Sequence, residues 1–364
     1  MTSPVCFLRL LILLVFTSLI SCKKPSSTKV NRAFYYWKNT EYTINDSEEV
    51  YLKNLSIQKM YVKFFEVQAD PLFGTKPFAK TDLHVWRYSL DNQLKADTAL
   101  VKVMQNLEII PTVFIKNEVF KQARKGSLDT LADNVFFLIT KYYKDRINNR
   151  TIEFDEIQID CDWTLKTKNN YFAFLKALKK ISDKTISCTL RLYPYKYPEI
   201  MGTPPVDKAT LMCYNLTKPL ESENKNSILD NEELKSYLKN SKKYPIHLDI
   251  ALPLFSMMYI YQNGQFSGTI NPNKVNIKPN LKQVKPMWFE LISDFETENM
   301  FLREGDLVKL EEVSKEQIAE TINLLKKHLK LDEYTTIALF HLDDNNLKQY
   351  DTKTLASFYN SFTK

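Results

Sequence analysis

Eight strand-like runs alternate with amphipathic helical stretches between residues 33 and 342, which predicts an α/β protein with a (β/α)8 TIM-type barrel. Glycine usage narrows the choice. The chain has 6 glycines, against about 25 at ordinary usage. No GxGxxG, GxxxxGK[ST] or GxSxG run occurs. A doubly wound sheet is the alternative architecture, and here it lacks its usual phosphate loop. The third observation is an interruption. After the seventh strand, Asn263-Gly264 between aromatic residues signals a β-hairpin. The expectation is therefore a barrel with a hairpin-containing insertion after strand 7.

The strand-like runs span 33–37, 60–67, 109–115, 156–163, 185–192, 210–216, 247–254 and 336–342. Each is apolar or alternating and bounded by polar or turn residues. The helical stretch 48–55 is short. The stretch 127–144 carries Leu128, Leu131, Val135, Leu138 and Ile139 on one stripe, and 170–181 carries Phe172, Leu175 and Leu178. A shorter helix is expected at 232–238. The stretch 314–329 opens with the capping pair Ser314 and Gln317, followed by Ile318, Ile322, Leu325 and Leu329. A helix over 354–362 closes the series. The insertion spans about 256–313 and includes Trp288, Phe289 and Arg303-Glu304-Gly305-Asp306. Loops after barrel strands lie on the catalytic face, so this one is placed to wall a cleft.

Residues 1–21 read as a signal peptide, with Arg9 as the sole charge and an apolar run from Leu10 to Phe16 too short to span a bilayer. The segment Leu19-Ile20-Ser21-Cys22 resembles a bacterial lipobox. That resemblance implies cleavage before Cys22, lipidation of its thiol and a membrane anchor, with the outer membrane as default. An ordinary secretory signal beside a chance cysteine is the alternative. Residues 22–31 then form a polar tether, and 32–364 form the barrel with its insertion.

Composition excludes other classes. With 364 residues, 44% hydrophobic and 26% charged, the chain can bury a large core. The net charge of +7 comes without a dense basic run, so no nucleic-acid partner is expected. Cys161, Cys188 and Cys213 sit in apolar runs and read as buried free thiols. No CxxC or HExxH spacing occurs, so neither metal nor cofactor is expected. The oligomeric state leaves no signal.

The fourth strand carries the strongest chemical signal: Gln158-Ile159-Asp160-Cys161-Asp162-Trp163-Thr164. Alternation puts Gln158, Asp160 and Asp162 on one face, toward the barrel interior. The two carboxylates' Cα atoms fall ~6.5–7 Å apart, and away from water one would be held protonated while the other stays ionised. The alternative is a structural pair bound to Arg, Lys or backbone groups.

Asp160-x-Asp162-Trp163 after alternating apolar residues resembles the fourth-strand motif Asp-Gly-x-Asp-x-Asp-Trp-Glu of chitinase-like glycoside hydrolases. The resemblance implies a (β/α)8 barrel with substrate-assisted chemistry and gives Asp160 and Asp162 the aspartate positions. Thr164 stands where the family has its acid, and the glycine position also differs. The order of segments resembles uncharacterised lipoproteins of Bacteroidetes-type bacteria.

Other candidates sit near strand ends. Lys63 is expected to point inward and neutralise Asp160 or Asp162, whereas Glu66 has the opposite parity and reads as a surface or loop residue. Arg191 on the fifth strand is a carboxylate partner, with Tyr193 just beyond it. Tyr214, on the sixth, lies where chitinase-like enzymes often carry a substrate-facing tyrosine. His247 and Asp249 share a face of the seventh, as a conceivable pair or a structural one. Trp163, Tyr193 and Tyr214, with Tyr35, Tyr36, Trp37 and Tyr195, either stack on sugars or plug the mouth.

Two functions follow. One is an exported, lipid-anchored glycoside-hydrolase-like protein, with Asp160 and Asp162 at the chemistry and Asp249 or Glu290 as proton donor. The other is an inactive barrel that binds a glycan or a partner protein, a reading that Thr164 favours.

Overall fold

The computed structural model describes residues 28–38, 44–70, 72, 74–78, 86–88, 94–96, 106–123, 126–146, 154–221, 223–239 and 242–363. The expected signal peptide and Cys22 lie outside the described residues.

The barrel strands are Lys29–Tyr36, Lys59–Asp70, Glu108–Ile115, Glu156–Asp160, Thr185–Leu190, Lys208–Met212, His247–Pro253 and Tyr334–Phe340. Each pairs in parallel with its neighbours, and the first strand pairs with both the second and the eighth, which closes the sheet. This is the (β/α)8 barrel that the alternating pattern predicts. The first strand begins at Lys29, ahead of the boundary expected at residue 32.

The strands are buried on both faces, as parallel strands covered by helices must be. Ile157, Ile159, Ile186, Cys188, Leu190 and Leu211 are wholly buried. The barrel lumen is partly polar and internally satisfied. Tyr35 stacks on Tyr61 with centroids 5.0 Å apart. Its hydroxyl donates to Gln158 Oε1 at 2.8 Å, and Gln158 Nε2 donates to Thr210 Oγ1 at 3.1 Å. Cys161, Cys188 and Cys213 are free and buried.

Local chemistry sets the helix starts. Asn45 and Glu48 form a reciprocal capping box at Asp46–Asn54, and Ser314 and Gln317 form another at Lys315–His328. Among the described residues, no helix is long and apolar enough to cross a membrane.

After the seventh strand the chain builds a separate five-stranded antiparallel sheet. Its hairpin Met257–Gln262/Gln265–Ile270 turns at Asn263 and Gly264, with φ of 52° and 74°. Two successive positive φ values are what a two-residue I′ turn requires. The sheet has its own small core, including Met258, Ile260, Leu291, Val308 and Leu310. A buried ion pair ties it to the barrel side: Lys309 Nζ lies 2.6 Å from Glu311 Oε1, and Glu311 Oε2 accepts from Ser227 N–H at 2.9 Å.

One irregularity shapes the mouth. The second and third strands keep register through Lys63 opposite Thr112, then slip so that Phe65 faces Val113 and Glu66 faces Phe114. Phe64 is the extra residue, and a bulge of this kind reverses side-chain parity downstream. Phe65 accordingly turns outward, its ring 5.5 Å from Tyr142 on the helix Ser127–Arg146.

Candidate active site at the barrel mouth

The C-terminal ends of the strands bring five charged groups together. Asp160 is the last residue of the fourth strand and 9% exposed. Its Oδ1 accepts from Thr189 Oγ1 at 2.6 Å. Burial pushes its carboxyl up to about 6, the charge of Asp162 adds to this, Thr189 and Arg191 oppose it, and Glu66 pushes it further up. Asp162, just past the strand, is half exposed. Arg191 grips it with a two-pronged contact, Nε to Oδ1 at 2.6 Å and Nη2 to Oδ2 at 2.9 Å. The adjacent carboxylates therefore hold different environments, one buried and proton-retaining, the other clamped by a cation.

Lys63 is buried and points inward. It pairs with Glu66, where the expectation is Asp160 or Asp162: Nζ lies 2.7 Å from Glu66 Oε1, with the Trp37 ring centroid 5.4 Å away. The bulge explains the pairing, because it returns Glu66 to the inward face that strict alternation denies it. No residue type in the sequence marks Phe64 as a bulge, so the sequence leaves Glu66 off the site.

Aromatic rings line the mouth. Phe340 packs against Tyr35, Trp37, Tyr214 and Phe255 at centroid distances of 5.6, 5.8, 5.3 and 5.7 Å. Tyr214 is buried among them. Tyr193 is 47% exposed and stands beside Tyr197. It lines a cleft of about 910 Å3 together with Asp162, Thr164, Arg191, Leu216 and Tyr237. Trp163 forms a wall of that cleft. It is only 6% exposed, its ring packed on Tyr171 and Phe172 of the helix Lys168–Ser182.

Thr164 is exposed in the same cleft. Its N–H donates to Thr167 Oγ1 at 2.9 Å, and Thr167 in turn donates to Asn117 at 2.6 Å. This loop therefore presents hydroxyls where the chitinase-like motif presents an acid.

His247 and Asp249 are a correction. They share a face as expected, but at the start of the seventh strand, the opposite end of the barrel from Asp160. Asp249 is wholly buried there. It accepts from Thr336 N–H at 2.6 Å, contacts His247 Nε2 at 3.2 Å and receives Lys208 Nζ at 3.0 Å. Burial alone would raise its carboxyl; His247, Lys208 and the Thr336 amide outweigh burial and hold it down at about 2. A carboxylate so firmly ionised, far from the mouth, is no proton donor for it. His247 also reaches Asp332 at 2.8 Å, and its hydrogen bond to Asp249 leads the effects that raise its pKa. Glu290 lies within the insertion sheet, in register with Lys282 and Leu307.

Beyond the eighth strand, His341 carries a buried Nδ1 with no hydrogen-bond partner among the described residues, and burial lowers its pKa to about 4. Among the described residues, no cluster of three or more His, Cys, Asp or Glu is arranged to hold a metal ion.

The fold is a closed (β/α)8 barrel with a polar mouth. A Group IV chitinase of Ostrinia furnacalis is similar over 92% of this chain and 100% of its own, at 12% identity and a TM-score of 0.51. The spore cortex-lytic enzyme SleL of Bacillus cereus is similar over 92% of this chain and 75% of its own, at 14% identity and a TM-score of 0.48. At such identities the likeness is one of fold. No family profile and no curated protein matches the chain.

Proposed function

We propose that this chain acts on a glycan at the C-terminal mouth of its barrel. The observation that carries this reading is the Asp160–Asp162–Arg191 group set beside an aromatic floor and an open cleft. Sugars offer apolar C–H faces to rings and hydroxyl or amide groups to carboxylates, and this mouth supplies both partners. The Ostrinia furnacalis barrel of the same fold is a chitinase, which makes N-acetylglucosamine oligomers the first probe. Calorimetry with the full chain in detergent should show chitohexaose binding. Asp162→Ala should weaken that binding at least tenfold, about 1.4 kcal/mol, because it removes an acceptor and strips Arg191 of its counter-charge. Equal affinity in both proteins would reject the reading.

The exposed Thr164 favours a second reading, binding without cleavage. In either case we infer export and anchoring through a lipid on Cys22, with the barrel held at the cell envelope, by default at the outer membrane. The apolar run ending in Leu19-Ile20-Ser21-Cys22 supports this. Cys22→Ser should move the protein from the membrane fraction to the soluble one. Persistence in membranes would refute the lipid anchor.

A further inference from the structure

We propose that Glu66 is the second catalytic carboxylate of the mouth and works with Asp160 as an inverting acid–base pair on the glycosidic bond. The inference rests on the glycan reading above and goes beyond it, because the chitinase-like motif assigns nothing to the second strand.

The geometry comes from the sheet register. Glu66 and Asp160 are both partnered by Phe114, so a single strand separates them in the sheet. Two strand spacings put their backbones about 10 Å apart. Both side chains turn toward the barrel axis, which draws the carboxyl groups closer than their backbones. Inverting glycosidases hold their two carboxyls ~6.5–9.5 Å apart, leaving room for a water. Both groups reach the interior: Asp160 by strand alternation, Glu66 by the Phe64 bulge. The two are also electrically coupled, since Glu66 raises the proton affinity of Asp160. Lys63, 2.7 Å from Glu66, supplies it with a counter-charge.

The roles follow from these environments. Asp160, buried and pushed up to about 6, carries the proton. It gives that proton to the glycosidic oxygen as the bond to the anomeric carbon breaks. Glu66 takes a proton from a water as the water oxygen bonds to that carbon. One water is consumed, no electrons are exchanged, and the proton on Glu66 returns to Asp160 through solvent. Asp162, gripped by Arg191, serves neither transfer.

The test uses the full chain in detergent with chitohexaose, binding and cleavage being measured separately. Cleavage should give products of inverted anomeric configuration by proton NMR, with a rate falling above pH 6 as Asp160 loses its proton. Glu66→Gln should lower the rate ~10²–10⁴-fold with binding retained. Glu66→Asp, which keeps the charge but shortens the reach, should also lose rate. The double variant Lys63→Met/Glu66→Gln removes both charges of the pair together and guards against misfolding; it should bind and not cleave. Binding without cleavage by the unmodified protein overturns the acid–base pair and leaves the glycan reading intact, whereas absence of binding overturns the glycan reading itself. Retained anomeric configuration, or an undiminished rate in Glu66→Gln, also overturns the proposal.

Discussion

Replacing Lys208 by Met should destabilise the barrel by about 3–5 kcal/mol at pH 7, the usual cost of orphaning a buried ionic partner. Lys208 enters from the sixth strand and is shared by two buried carboxylates, with Nζ 2.7 Å from Glu156 Oε2 and 3.0 Å from Asp249 Oδ2. Those carboxylates come from the fourth and seventh strands, so one ammonium links three strands at the base of the barrel. Ser187 Oγ still serves Glu156 at 2.6 Å, and the Thr336 amide still serves Asp249. Neither supplies the lost positive charge, and of the two carboxylates only Asp249 keeps a second basic partner, His247 at 3.2 Å. Urea unfolding at constant m-value reads the effect. In the parent protein, Asp249 at about 2 contributes stability that is present above the unfolded carboxyl value near 4 and is lost as pH falls toward 2. In Lys208→Met the orphaned carboxyls can protonate to escape the penalty, so the gap between variant and parent should narrow on acidification. A deficit under about 1 kcal/mol at pH 7 would mean that the network behaves as a solvated surface pair.

The same network shows where the sequence is legible and where it stops. Alternation puts His247 and Asp249 on one face, and they do share it. Their end of the barrel is legible too: the expected run 247–254 and the strand itself both begin at His247, so the pair sits at the base and a place at the mouth does not follow from the sequence. A face is a local property of period 2, whereas a level in the barrel depends on the register of every neighbouring strand. The eight strands, the Asn-Gly hairpin and the Ser314 cap are written in short stretches of chain, and each forms as expected. Asp160 is legible for the same reason. Glu66 is not, because one extra residue at Phe64 reverses parity and nothing about phenylalanine signals it. Trp163 shows a different failure. Its position beyond the fourth strand suggests a sugar platform, yet the following helix brings Tyr171 and Phe172 over its ring, a tertiary contact that no local pattern encodes.

Asp160→Asn should make the protein more stable, by roughly 2–3 kcal/mol at pH 7.5, since each tenfold change in proton affinity is worth about 1.4 kcal/mol. The folded protein holds this carboxyl at about 6, while the unfolded chain releases the proton near 3.9. Between those values the native state binds a proton that the unfolded state does not, so native stability falls as pH rises through the window, and above it the full cost is present. An asparagine carries no charge to desolvate, and its Oδ1 can still accept from Thr189. The gain should therefore shrink as pH drops below 6 and vanish near 4. A structural carboxylate gives the opposite result: a group retained for its partners costs stability when neutralised, as Asp249 should. A strained, poorly solvated acid at the mouth of a barrel is what natural proteins keep for chemistry at the expense of stability. Asp160→Asn should thus gain in urea midpoint and lose chitohexaose cleavage in the same molecule. A loss of stability at pH 7.5, or a gain that does not vary between pH 4 and 7, would show that burial and the Asp162 charge do not strain Asp160, and the assignment of Asp160 as the acid would fall with it.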